Sequence, residues 1–216
     1  MNPYATIGNI TIYHGDAADI QLSLGKFDCI VTDPPWADCR EVGLVGGVDA
    51  QETLRRVALS WPSIADYAVV QLGCLTDPRM LAIPDEMPFL RVCWLEYIPP
   101  RYRGNVLDGA DVAYVFGKAR RPERGTVLPG HCSKGVSHGK RATKHPCERN
   151  SVHVRWLLRW FAQGRVFDPF CGSGTALVAA VEEGREAVGV EIEEKFCEMA
   201  ARRVAAVVAQ GTMFRT

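Results

Sequence analysis

The chain has 216 residues, 47% hydrophobic and 23% charged, so it can bury a core, and at roughly 100 to 200 residues per domain its length predicts one domain spanning residues 1–216 rather than a multi-module machine. Twenty-five Lys and Arg balance 25 Asp and Glu, and evenly spread that balance would argue against a nucleic-acid partner. It is not evenly spread: from Lys118 to Arg149 nine basic residues stand against Glu123 and Glu148, a net +7 offset by −7 elsewhere.

Along the chain, the first residues, MNPYATIGNI, lack the basic and apolar regions of a signal peptide, and no stretch approaches about 18 uninterrupted apolar residues. Eight cysteines are scattered without a C-x-x-C pair and read as reduced, mostly buried thiols. The expectation is a soluble cytoplasmic protein without a membrane partner. Apolar runs then recur as ITIYHG, FDCIVTDPP, YAVVQLG, RVCWLEY, VAYVFGK, RVFDPF and EAVGVEI, most of them near-continuous, as strands buried on both faces must be. Helical periodicity lies between them at Asp49–Trp61, Ser151–Gln163, Thr175–Glu183 and Glu193–Gln210, the last with Phe196, Ala200, Val204 and Val207 on one face. An α/β fold with a mixed, mostly parallel sheet of seven strands follows. In residues 118–149 Gly, Pro, Ser, His and basic residues displace apolar ones, so that segment reads as an exposed loop or small insertion.

Two motifs carry chemistry. The run FDCIVT ends in Asp33-Pro34-Pro35-Trp36. Two prolines stiffen the backbone, so the Asp33 carboxylate and the Pro34 carbonyl can point in set directions beside an aromatic ring. That suits a planar amine such as the exocyclic amino group of a nucleobase, whose lone pair is delocalised into the ring. Two acceptors on its N–H bonds favour the pyramidal nitrogen that attack requires, and Trp36 can stack on the base. The plain alternative is a strand-ending turn with a core Trp.

The second motif runs Val166-Phe-Asp-Pro-Phe-Cys-Gly-Ser-Gly-Thr175, with Gly172 and Gly174 at a strand–helix joint. Backbone can approach a ligand there, and a helix N-terminus offers free N–H groups. Glu191 follows the next strand, 17 residues beyond Gly174, where a carboxylate can take two ribose hydroxyls. Leu177 stands where a nicotinamide fingerprint wants a third glycine, so one adenosine-bearing ligand is the better fit. A tight turn and a surface glutamate are the alternative.

Together these motifs resemble the β group of amino DNA methyltransferases, in which D-P-P-Y/F/W comes first and F-x-G-x-G near the C-terminus. That circularly permuted order is kept here. His14-Gly15-Asp16 resembles the family's acidic motif, Lys144-His145-Pro146 its H-P motif, and Trp94 with the strand pair to Lys118 the hairpin that walls the target pocket. The resemblance implies a Rossmann-like methyltransferase fold, S-adenosylmethionine as cofactor, DNA as partner and adenine N6 of a flipped base as target. Asp33, Pro34, Pro35 and Trp36 would hold the base. Asp168, Gly172, Gly174 and Thr175 would hold the methionine part, Glu191 the ribose and Asp16 the adenine, with His145, Phe170 and Ile192 at the same ligand. Arg101, Arg103, Lys134, Lys140, Arg141 and Lys144 would track phosphates. The chain departs from the family at Cys147-Glu148-Arg149-Asn150 and at Glu96. Its target-recognition segment is short, so strict sequence specificity would need a homodimer or would be absent. Cytosine N4, adenosine in RNA, and an inactive nucleic-acid-binding protein remain as alternatives. His131, His138, His145 and His153 match no zinc spacing, and no metal is expected.

Overall fold

The computed structural model describes residues 2–36, 49–73, 76–103, 106–118, 130–136 and 151–213. Nine strands are found among them: β1 (Ala5–Ile7), β2 (Ile10–His14), β3 (Phe27–Thr32), β4 (Ala65–Gly73), β5 (Phe89–Arg103), β6 (Val106–Gly117), β7 (His131–Val136), β8 (Val166–Asp168) and β9 (Ala187–Glu191). They join one sheet in the order β1-β2-β9-β8-β3-β4-β6-β5-β7. From β2 to β4 all neighbours are parallel, whereas β6 runs antiparallel to both β4 and β5.

Seven of these are the apolar runs of the sequence. The expectation of seven strands misses β1 and β7, the two edges of the sheet. An edge strand needs no continuous apolar run, because one of its sides lacks a neighbour. β1 is three residues paired antiparallel to β2. β7 (HCSKGV) lies within the basic segment and pairs parallel to β5, with Cys132 buried at 3% exposure. The segment is therefore not loop throughout: Cys132 anchors part of it to the sheet.

Among the described residues six α-helices cover the sheet: α1 (Ala17–Ile20), α2 (Ala50–Ala58), α3 (Trp61–Ile64), α4 (Ser151–Phe161), α5 (Thr175–Glu182) and α6 (Glu194–Met213). Successive residues of β4 alternate between its faces. Tyr67 and Val69 pack with α4, α5 and α6, through Leu157, Leu177 and Ala200 among others. Ala68 and Val70 pack with α1, α2 and α3, through Ile20, Leu54 and Trp61. Asp49 caps α2, accepting from the Glu52 backbone N–H at 3.1 Å. The single helix expected over Asp49–Trp61 is instead two, because Pro62 cannot donate a helical hydrogen bond and is admitted only at the first turn of α3. α5 is buried around most of its surface, with Leu177, Ala179 and Ala180 fully covered, and it carries no charge before Glu182.

The sheet reverses its winding between β8 and β3. From β8 the chain passes through α5 to β9 on one side, and from β3 through α2 and α3 to β4 on the other. Such a switch point opens a crevice at the carboxyl ends of the strands. Both sequence motifs begin there, one after β3 and one after β8. The β5–β6 hairpin extends past the same end: β4 finishes at Gly73 opposite Asp111, while β6 continues to Val106 opposite Arg103.

Candidate active site

A cavity of about 240 Å³ occupies the switch point. Asp33, Pro34, Pro35 and Trp36 line one side of it, and Asp168, Phe170, Gly172, Thr175, Glu191 and Ile192 the other, with Asp16 at the rim. Eleven of the residues singled out in the sequence thus meet in one place. Gly174 is not among the lining residues. His145, Lys140, Arg141 and Lys144 lie outside the described residues. Arg101 and Arg103 stand in the part of β5 that extends past the end of β4, and Lys134 stands in the edge strand β7.

Besides the backbone pairing of β3 with β8, a side-chain hydrogen bond ties the two halves together. Thr32, the last residue of β3, donates from Oγ1 to Asp168 Oδ1 at 2.7 Å, and the Phe170 backbone N–H reaches the same oxygen at 3.1 Å. Asp168 is 4% exposed. Burial pushes its carboxyl up to about 7, with Asp33 and Glu191 adding to the rise and the two hydrogen bonds opposing it. Glu191 accepts from Gly172 N–H at 2.8 Å through Oε2 and from Glu193 N–H at 2.8 Å through Oε1. Its pKa is also raised, chiefly by burial. Two partly desolvated carboxylates in one cavity make a site that favours a positively charged ligand.

Asp16 caps α1, accepting from Ala18 N–H at 2.9 Å, and its other oxygen meets Arg56 Nη2 of α2 at 2.5 Å. Arg56, which has no signal in the sequence beyond its place on a helix, sets the position of the acidic rim. Trp36 donates from Nε1 to Asp33 Oδ1 at 3.0 Å, closing the D-P-P-W turn. The Trp36 ring lies over Gly73 at the end of β4, where a Cβ would come within 2.8 Å of Trp36 Cζ3. No pattern in the sequence identifies Gly73 as the floor of that ring; the contact is made across two strands.

Gly174 has a packing role. Its φ is +80°, and a Cβ there would lie 2.8 Å from Ala200 Cβ of α6. The residue thus brings the start of α5 against α6. Arg203 of α6 secures the same loop, donating from Nη1 to the Ser173 carbonyl at 2.7 Å, Ser173 Oγ at 2.9 Å and Thr175 Oγ1 at 3.2 Å. Gly174→Ala should cost roughly 2–4 kcal/mol of stability, from left-handed backbone strain and overpacking together. Thermal unfolding measures it, and an unshifted midpoint would mean that α6 yields at Ala200.

Trp94, in the hairpin that the resemblance sets against the target pocket, is not among the residues lining the cavity. It is 55% exposed and alternates with Cys93 and Leu95, which face the α4–α6 layer, so Trp94 points to the opposite side of the sheet. Glu96 is beside it, 3.2 Å from His131 Nε2. His153 is buried and its Nε2 meets the Glu96 carbonyl at 3.0 Å, a structural contact within the fold. Among the described residues no three His, Cys, Asp or Glu side chains are grouped to hold a metal. Nor is any helix among them long and apolar enough to cross a membrane.

A mixed sheet with a parallel, switch-pointed centre, a glycine loop after β8 and an Asp-Pro-Pro-Trp turn after β3 defines a Rossmann-like methyltransferase. Solved structures of that fold superpose over most of the chain. The complex of M1.HpyAVI with SAM covers 90% of this chain and 98% of its own at a TM-score of 0.67 and 23% identity. The cytosine-N4-specific PvuII DNA methyltransferase covers 93% and 88% at a TM-score of 0.70 and 19% identity. In sequence, the family of DNA methylases of N6/N4 type matches residues 105–202. The type II methyltransferase M.ScaI of Streptomyces caespitosus is 35% identical over 258 residues, covering 94% of this chain and 84% of that protein. The candidate methylase YubD of Escherichia coli (strain K12) is 31% identical over 99 residues, and the match spans only 42% of its length. This chain belongs to the N6/N4 family of DNA methylases.

Proposed function

We propose that the protein transfers a methyl group from S-adenosylmethionine to the N6 amine of an adenine flipped out of DNA. The observation that carries this reading is the meeting of the Asp33–Trp36 turn and the Asp168–Glu191 carboxylates in one cavity across the β8/β3 switch point. The donor set fits the cofactor. S-adenosylmethionine bears an ammonium and a sulfonium, and the cavity presents Asp33, Asp168 and Glu191, while its cation Arg56 is engaged with Asp16. When bound, the cofactor supplies a methyl group on a good leaving group, the sulfonium departing as a thioether.

The chain's own part is to bind, to orient and to accept hydrogen bonds. Asp168 and Glu191 hold positive charge and hydroxyls on the cofactor side. Asp33 and the Pro34 carbonyl accept hydrogen bonds from the two amine hydrogens, turning its lone pair outward, and Trp36 stacks on the ring. The one proton the methylated nitrogen sheds passes by way of the Asp33 carboxylate to water. A base still stacked in a duplex cannot reach such a pocket, so it must be flipped. Arg101, Arg103, Lys134, Lys140, Arg141 and Lys144 contact phosphates from the hairpin end and the basic segment. The chain works as a single domain, and pairing of two copies would lengthen its short recognition surface.

Methylation of cytosine N4 is the second reading, favoured by the likeness to the PvuII enzyme. Unmethylated DNA incubated with protein and S-adenosylmethionine, then digested to nucleosides and examined by mass spectrometry, should yield N6-methyladenine. N4-methylcytosine would establish the second reading. Methylation of RNA alone would overturn the choice of DNA, and tight cofactor binding with no methylated product would leave a binding protein.

A further inference from the structure

Gln71 lies in the wall of the cavity at 2% exposure, and its Nε2 is buried with no hydrogen-bond partner. A buried amide nitrogen left without a partner is destabilising. Among the described residues lining the cavity, it is the one left with a buried side-chain nitrogen unpaired. Its flanking residues, Val70 and Leu72, are aliphatic and fully covered, so an aliphatic side chain would suit the position if packing were the only demand.

Its placement says what the amide faces. Parallel pairing sets Thr32 opposite Val70, so Gln71 is one step further along β4, level with the start of the Asp33 turn. It shares a face of β4 with Gly73, the floor of the Trp36 ring. On its other flank its partner is Ala113, which has no polar side chain. The amide is therefore beside both the acceptors for the amine and the aromatic ring, and neither Ala113 opposite it nor Asp111, buried on the same face opposite Gly73, hydrogen-bonds its nitrogen.

We propose that Gln71 is a specificity-determining residue that donates to the ring nitrogen adjacent to the target amine. This rests on the reading of the cavity as a site for an amino base. In adenine the atom beside the N6 amine is N1, and in cytosine the atom beside the N4 amine is N3; both are acceptors. Guanine and thymine present a carbonyl followed by a ring N–H in the corresponding positions, so Gln71 would meet a donor and Asp33 an acceptor. Asp33 and Gln71 together then select an amine next to a lone pair. A site built to hydrogen-bond a substrate discriminates strongly against analogues that leave its polar groups unpaired.

The test compares natural and deaza target bases once the methylated position has been mapped. The substrates are the unmodified duplex and one carrying 1-deazaadenine at that position, or 3-deazacytosine if the product is N4-methylcytosine. Gln71→Leu should lower kcat/KM on the natural base roughly ten- to a hundredfold. Wild type should lose a similar factor on the deaza base, and the variant should lose nothing more there. Affinity for S-adenosylmethionine, measured by calorimetry, should stay within about twofold, which a collapsed site would not allow. The deaza comparison needs only wild type, so a poorly folding variant does not remove the test. Full activity of Gln71→Leu, equal wild-type activity on both bases, or independent losses that multiply would each overturn the inference while leaving methylation itself intact. No methylation by wild type would overturn the underlying reading and the inference with it.

Discussion

Asp33→Ala is expected to slow methyl transfer by at least about 10²–10³-fold, the range for removing one preorganised partner of a developing charge. Affinity for S-adenosylmethionine should stay within a few fold. The separation follows from the proposed roles: Asp33 follows β3 on the side of the switch point assigned to the base, whereas Asp168 and Glu191 close β8 and β9 on the side assigned to the cofactor. Asp33 also accepts from Trp36 Nε1, so its removal frees the ring from the turn. Asp33→Asn keeps an acceptor for Trp36 but lacks the charge, and should recover ring placement without recovering rate. Single-turnover transfer of labelled methyl groups, with calorimetry on the same preparations, distinguishes the steps. Full activity of the alanine variant would remove Asp33 from the reaction.

Asp168→Asn should weaken S-adenosylmethionine binding by roughly 10- to 100-fold, the ~1.5–3 kcal/mol of a hydrogen bond to a charged group. It should also flatten the pH dependence of binding. Burial pushes Asp168 up to about 7 from an ordinary 3.8, so between those values the free folded protein holds a proton that the unfolded chain has released. The stability this group contributes is fully present below about 4 and is lost as pH rises through about 7. A cationic ligand reverses the preference, because it binds the ionised carboxylate. Affinity in the wild type should therefore fall by up to about tenfold per pH unit below 7, with release of nearly one proton on binding at pH 6. Titrations in buffers of different ionisation enthalpy count that proton. Equal affinity at pH 5.5 and pH 8 would show that Asp168 does not titrate on binding.

The amino-acid sequence by itself determined the class of fold and most of the crevice residues. Strands buried on both faces must be apolar throughout, which marks β3, β4, β8 and β9, while the apolar runs of β2, β5 and β6 stand out although one face of β5 is partly exposed at Trp94. The chemistry of the two loops demands residue types that few other structures need together. Asp33-Pro34-Pro35-Trp36 and the Gly172–Gly174 loop can be read for that reason, and their order along the chain carries the family resemblance. Boundaries set by local sterics were partly readable as well: Pro62 explains the break between α2 and α3, although periodicity alone ran through it.

Only the tertiary structure decided which residues complete the site, since strand order is set by packing between segments far apart in sequence. Thr32 and Asp168 are separated by 136 positions, yet the Thr32 hydroxyl donates to the Asp168 carboxylate at 2.7 Å because β3 and β8 are neighbours. Gly73 beneath Trp36, Arg203 on the glycine loop and the unpaired amide of Gln71 have ordinary local surroundings, and each gains its role from another element. The edge strands β1 and β7 were invisible to apolar patterning for the same reason: one row of their hydrogen bonds is supplied by β2 or β5, and among the described residues the other side has no strand that would demand burial. Trp94 marks the converse limit, because an aromatic in the expected hairpin says nothing of its face until Cys93 and Leu95 are seen to take the core.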